Sequence, residues 1–301
     1  MDKGGYYMTS EAGVHKKSSA RVLDNLSGSI GRKKIILSVC GVIIGLVHLF
    51  PLYWLAINSF KPDLEIHSML TFYPHTFTLK PWTEQLGSRD FLISLKNSVV
   101  IATFAMSISF VLGVPAAYGM ARFKIPGRSI ILLLFLVTQM MPASLLLTPL
   151  YLTFSKTGLL NSYPAPAMAI ASGSIPFIVV TLRPYFLQLP KSLDDAARID
   201  GCNAFGSFIR IILPIIRTGL ITIIVISFLH GWNDLIYSMT FNVSDKMRPL
   251  TANIYKYMDK YGTKWNYIMA YGMILVLPVI LMFIFLQKYI VGGLAAGAIK
   301  E

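Results

Sequence analysis

Six stretches of this chain are apolar for long enough to cross about 30 Å of hydrocarbon as helices, which takes roughly 20 residues each. They lie near 35–58, 94–120, 129–153, 165–187, 209–237 and 267–290. Inside lipid a segment must satisfy its own backbone amides, so runs of this length point to spanning helices. The expected fold class is an all-α polytopic membrane protein with six transmembrane helices. Composition agrees: 54% of residues are hydrophobic and only 14% are charged, against about 25% charged in a soluble domain.

The expected organisation is a polar tail at 1–34, a six-span domain at 35–290 and a short tail at 291–301. The first apolar run is too long, and too far from the start, for a signal peptide, and reads as a retained span. An even number of spans puts both ends on one side. Lys16, Lys17, Arg21, Arg32, Lys33 and Lys34 precede the first span, and Arg122, Lys124 and Arg128 lie in the next loop on that side. By the positive-inside rule both termini belong in the cytoplasm. The loop at 238–266 runs against this, with Lys246, Arg248, Lys256, Lys260 and Lys264. On the outer side, 59–92 is rich in aromatics and prolines and suits an irregular cap. Residues 249–261 place Leu250, Ile254, Tyr257 and Tyr261 at helical spacing, which suits either a helix along the outer interface or a packed connector.

The net charge of +13 lies mostly in loops between apolar runs. Membrane topology explains it, and nucleic acid is not an expected partner. Cys40 and Cys202 imply neither disulfide nor metal. The five histidines form no pair at ligand spacing. No phosphate-binding glycine loop ending in Lys-Ser/Thr occurs, so ATP binding by this chain is not expected.

Between the fourth and fifth runs sits a polar island, Leu189 to Pro214. Pro190 ends the preceding helix. Ser192 with Asp195 suits a capping box, so a helix of about eight residues should begin at Leu193, roughly 12 Å long. Gly201 is a natural stop because it takes the left-handed conformation without steric cost. Leu193, Ala196 and Ala197 form the apolar face. Asp194, Asp195, Arg198 and Asp200 form the other, with Asp194 and Arg198 paired at i,i+4. Asn203 can cap a following turn. A helix this short does not hold in water alone, so it packs either on its own protein or in a partner's socket.

Asp195-Ala196-Ala197, then Asp200-Gly201, then nine residues, then Ile211-x-Leu213-Pro214, resembles the cytoplasmic loop signature of permease subunits of ATP-binding-cassette importers, E-A-A-x-x-D-G-x9-I-x-L-P. Asp195 stands where that family usually has Glu, keeping the charge with a shorter reach. The resemblance implies the type I importer permease fold, with 189–208 as the coupling loop. It extends from about residue 45 to the C-terminus and is most similar to the carbohydrate-uptake branch. The residues that carry this are Asn58-Ser59-Phe60-Lys61, Pro149-Leu150-Tyr151 with Gly158 to Tyr163, Gly231-Trp232-Asn233-Asp234, and the Gly-rich Val291 to Lys300. Among paired sugar permeases the chain looks like the second, shorter partner.

That resemblance implies a bacterial cytoplasmic-membrane subunit forming a heterodimer with a second permease. Its further partners would be two ATP-binding subunits, an extracytoplasmic sugar-binding protein and membrane lipid. ATP and Mg²⁺ would sit on the ATPase subunits. Asp195, Ala196, Ala197, Arg198, Asp200, Gly201, Leu213 and Pro214 would couple ATPase movement to the spans. Asp195 and Asp200 would dock by charge-assisted hydrogen bonds.

No catalytic constellation occurs, so the expected work is mechanical. Polar residues within spans are costly and often functional, yet each can equally serve interhelical hydrogen bonding. Asn58, Gln139, Trp232 and Asn233 are the substrate-pathway candidates, with Asn97, Ser172, Ser174, His230 and Asp234 beside them. Gln139 is best placed, with Pro142 one turn on. A permease for polyamine or peptide would carry the same loop. An ion-driven secondary transporter would need internal repeats and a carboxylate relay, and neither is visible. A membrane scaffold would have no use for the docking loop.

Overall fold

The computed structural model describes the backbone of residues 8–68, 70–259 and 262–298, and the side chains of 34–68, 70–258 and 262–287. It divides into two units, 1–57 and 58–301. Within the first unit, helix α1 (Met8–Ser59) begins far ahead of the apolar run, in the segment read from sequence as a tail. Its apolar stretch, Lys34–Ser59, is 26 residues long, enough to span hydrocarbon.

The second unit opens with the region expected as an irregular cap. It is ordered by two short helices, α2 (Asp63–Ser68) and α3 (Lys80–Leu86). Phe60 stacks on Phe77 at 5.1 Å and on Trp82 at 5.5 Å. Lys61 is buried, and its Nζ donates to the Thr71 carbonyl at 2.6 Å. Glu65 accepts the backbone amides of His75 and Thr76 at 2.8 and 3.2 Å. These bonds close the loop on itself.

Helix α4 (Arg89–Arg122) follows, 34 residues or about 51 Å long. The run expected at 129–153 is not one helix. It forms α5 (Arg128–Met140) and α6 (Ser144–Lys156), bent by 98°. The cause is Pro142, which disfavours α geometry at the residue before it. Met141 is accordingly extended, at φ −78° and ψ 127°. Helix α7 (Pro164–Gln188) packs along α4. Gly113 permits this approach, since a Cβ there would stand 2.9 Å from Ile178 Cγ2.

After α7 come α8 (Ser192–Ile199), α9 (Ala204–Ser207), a π-helical turn at Phe208–Ile212, α10 (Leu213–Ile215) and α11 (Arg217–Trp232). The run expected as the fifth span, 209–237, is not one straight helix: the 204–215 segment meets α11, itself about 24 Å long, at 86°. The break falls at Ile216, whose ψ of 18° leaves helical geometry. Pro214 just before it lacks an amide to continue the ladder.

The chain ends with α12 (Ile236–Phe241), α13 (Leu250–Asn253), a hairpin of β1 (Met258–Asp259) and β2 (Gly262–Thr263), and α14 (Trp265–Ala298). Of the two sequence readings for 249–261, the packed connector holds and the continuous helix does not. One face of α4 is responsible. Ser98 Oγ accepts the Leu250 amide, Ser94 Oγ accepts Asn253 Nδ2, both at 2.8 Å, and Asn97 Nδ2 donates to the carbonyls of Lys246 and Arg248. Tyr261 lies outside the described residues.

Among the described residues, four helices are long and apolar enough to cross a membrane, or six if each bent pair is one span. The core of the bundle lies between α4, α7, the π-helical turn and α11. Tyr118, Ile178, Leu182, Phe186, Phe208 and Ile212 are buried there.

Candidate coupling helix and membrane cleft

The helix expected in the polar island is α8, and it starts one residue early. The Ser192–Asp195 capping box does not form. The first amides are instead taken by main-chain carbonyls: Leu193 by Pro190, and Asp194 and Asp195 by Lys191. A turn that already satisfies those donors leaves a side-chain cap nothing to do. The stop is as expected. Gly201 has φ +81°, its amide donates to Arg198, and the Cys202 amide donates to Ala197. That is the paired-bond ending that left-handed glycine allows. Asn203 caps α9 through Oδ1, 2.7 Å from the Gly206 amide.

The faces of α8 differ from the expectation at two positions. Ala196 is exposed rather than packed, and the buried small residue is Ala197. Asp194 does not pair with Arg198. It turns inward, where Tyr118 donates its hydroxyl at 3.0 Å and Arg122 Nε stands 3.1 Å from Oδ2. The Nε contact is ionic, since it lies off the line a hydrogen bond needs. Arg122 also donates from Nη1 to Leu189 O at 3.0 Å and from Nη2 to Pro190 O at 3.4 Å. These partners were not legible in sequence, because Arg122 and Tyr118 lie some 70 residues before Asp194.

The opposite side of the island faces solvent. Asp195, Arg198 and Asp200 are exposed. Between and beside them stand two bare apolar side chains, Ile199 at 86% and Phe205 at 70% exposure. Leu213 packs against the core cluster, while Pro214 is exposed just before the Ile216 break. A rigid base and an acidic, apolar-tipped outer face make this segment a knob.

A second feature is a cleft of about 390 Å³ at the α5–α6 bend, against α7 and α11. Gln139, Ser174, His230, Asn233, Asp234 and Tyr237 all line it. Gln139 Nε2 donates to the Gly173 carbonyl at 2.7 Å, tying the bend to α7. Ser174 Oγ lies 3.1 Å from His230 Nδ1. Phe177 meets His230 edge-on, with ring centroids 5.7 Å apart.

The four residues Gly231 to Asp234 divide between scaffold and cleft. Trp232 is 2% exposed and donates Nε1 to the Leu275 carbonyl at 3.1 Å, which makes it an anchor to α14. Asp234 is spent largely on α12, accepting the amides of Tyr237 and Ser238 and the Ser238 hydroxyl. Of the four, Asn233 lines the cleft with a side chain that makes no such bond among the described residues. Asn58 is buried outside the cleft, and Asn97 is occupied by Tyr163 and by the 246–248 carbonyls. Ser172 bonds its own helix at Ala169. Among the described residues no group of three or more His, Cys, Asp or Glu could hold a metal.

Known proteins place this architecture. Residues 109–295 match the family described as "Binding-protein-dependent transport system inner membrane component". The chain is 32% identical to the "Probable ABC transporter permease protein YurM" of Bacillus subtilis (strain 168), over 83% of each chain. It is 30% identical to the "Trehalose/maltose transport system permease protein MalG" of Thermococcus litoralis, over 89% of this chain and 97% of that one. In three dimensions it is similar to a chain of a bacterial ABC transporter involved in the import of the acidic polysaccharide alginate. That likeness has a TM-score of 0.73 at 21% identity and covers 85% of this chain and 95% of that one. The break-rich bundle, the exposed acidic knob and the match across 109–295 agree, and the chain belongs to the inner-membrane components of binding-protein-dependent transport systems.

Proposed function

We propose that this chain is the second permease of an ATP-driven importer of oligosaccharides, with both termini in the cytoplasm. It pairs with a different permease, receives substrate from an extracytoplasmic sugar-binding protein, and is driven by two ATPase subunits that bind ATP and Mg²⁺. The observation that carries the coupling role is the island around α8: pinned to the bundle on one side, acidic and apolar on the other. Asp195 and Asp200 pair with cations of the ATPase, and Ile199 and Phe205 fill an apolar recess there.

The sugar assignment is supported by relatives named for trehalose and maltose, for arabinooligosaccharides and for diacetylchitobiose. It is also supported by the cleft, where amide, hydroxyl and imidazole groups sit beside the Tyr237 ring, the combination that polyhydroxylated ligands need. Closing of the ATPases swings the knob, and α4, α7 and α11 open the cleft alternately to either side.

Uptake of labelled maltose, arabinobiose and diacetylchitobiose by cells with and without this gene tests the reading. Loss of uptake of at least one sugar is expected. Full sugar uptake together with lost polyamine or peptide uptake overturns it. Asn233→Ala and Gln139→Ala should each raise the concentration for half-maximal uptake about fivefold, the effect of one hydrogen bond worth about 1 kcal/mol. Trp232→Phe should lower the amount of assembled complex instead, with the half-maximal concentration unchanged. At the knob, Asp195→Lys should abolish substrate-stimulated ATP hydrolysis. Phe205→Asp should weaken co-purification of the ATPase by about thirtyfold, the effect of losing roughly 2 kcal/mol at an interface centre.

A further inference from the structure

The knob needs a joint as well as a socket, and on α8 apolar packing comes from two residues, Leu193 against the core cluster and Ala197. Ala197 is the only residue of α8 that is fully buried. A cavity of about 180 Å³ lies under the helix, bounded by Tyr118, Arg122, Lys191, Asp194, Asp195 and Arg198 among others. Across this gap the connection to the bundle is polar and converges on one side chain. The Arg122 side chain is 7% exposed, and its three nitrogens reach three different points of the island: Asp194, Leu189 O and Pro190 O. Tyr118, one turn earlier on α4, adds a bond to the same Asp194.

We infer that Arg122 is the positioning residue that joins α8 to α4, so that a displacement of the knob is passed to α4 instead of being absorbed by the 189–191 turn. The inference rests on the coupling role proposed above. Helix α4 is suited to be the moving strut. It is about 51 Å long, and its other end holds the 246–253 segment through Ser94, Asn97 and Ser98. A planar guanidinium fork can hold a carboxylate and two carbonyls at fixed angles, which a lysine ammonium on a flexible stem cannot. The joint is thus stiff in direction as well as strong.

The test uses the assembled importer in lipid vesicles, with Arg122→Gln, Arg122→Lys and the nearly isosteric Asp194→Asn. Two quantities are read: sugar carried per ATP hydrolysed, using a sugar from the panel above, and amide hydrogen exchange of residues 192–200 against 100–117. In Arg122→Gln and Asp194→Asn, sugar per ATP should fall about fivefold or more, the usual size of a lost coupling between sites. Exchange at 192–200 should quicken while 100–117 stay protected. Arg122→Lys should be intermediate. A merely structural role would reduce the amount of complex and leave sugar per ATP as in the wild type. That outcome in both Arg122→Gln and Asp194→Asn overturns the joint. If the wild type carries none of the sugars, the functional reading fails instead. Exchange at 192–200, which needs no substrate, then decides the joint, and wild-type rates in both variants overturn it.

Discussion

Gly201→Pro should abolish substrate-stimulated ATP hydrolysis in the assembled importer while the spans still insert. The residue ends α8 at φ +81°. Proline is locked near −65° and carries no amide, so both the angle and the bond from Gly201 to the Arg198 carbonyl are lost. The following bond, from Cys202 to Ala197, depends on the same turn. The chain must therefore leave α8 in another direction, and Ile199, Asp200 and Phe205 no longer share a face. Space is not the constraint, since a Cβ at Gly201 would meet nothing within 4 Å. The difference separates two explanations. Gly201→Asn, which tolerates the left-handed region, should retain most of the stimulation. Gly201→Val should lose a large part of it, because a left-handed conformation costs an ordinary L-residue about 1–2 kcal/mol and a β-branched one more. Equal activity of the asparagine and proline variants would contradict the role given to this turn.

Gly231→Ala should have the opposite cause and a comparable effect. Here the backbone is ordinary helix, and the constraint is space. A Cβ would stand 2.6 Å from the Ala102 Cα, which is backbone and has no rotamer to yield. Small residues at such crossings let membrane helices approach closely. Forcing α11 from α4 should cost about 1–3 kcal/mol, the usual penalty of overpacking. It also shifts the neighbours. Trp232 leaves its bond to Leu275, and Asn233 moves off the cleft wall. The expected result is a lower melting temperature of the purified complex and a several-fold loss of uptake. Gly113→Ala first meets the Ile178 side chain, at 2.9 Å, and should be milder. A Gly231→Ala complex as stable and active as the wild type would mean that α4 and α11 do not cross as closely as described.

These two glycines also mark where sequence reading stops. The conformational demand at Gly201 is local, so its position at the end of a short charged run is enough to forecast the turn. The demand at Gly231 comes from Ala102, far away in the chain, and no spacing rule reports it. The same division runs through the site. Asp195 and Asp200 face outward as the spacing of the island suggested. Helical periodicity, which knows only its own helix, puts Asp194 on the same face and pairs it with Arg198. The field of Arg122 and the Tyr118 hydroxyl, across a tertiary contact, wins it for the interior.

Trp232, Asn233 and Asp234 are adjacent yet take three different tasks. Each task is set by which neighbour lies opposite: α14, the cleft or α12. The bends at Pro142 and Ile216 fall between these extremes. The prolines announced broken helices, but whether a break tilts a span or turns it through nearly a right angle depends on what packs beside it.

By itself, then, the order of residues determined the solvent in which this chain folds, the number and approximate place of its apolar runs, and the short acidic helix with its glycine stop. Each of these follows from transfer energies or from backbone geometry within a few residues. Tertiary structure alone decided which side of that helix is fastened, which polar residue of a shared motif looks into the cleft, and that two runs turn through about a right angle. Those outcomes depend on contacts between segments distant in sequence, and the energy of such a contact exists only once the segments have met.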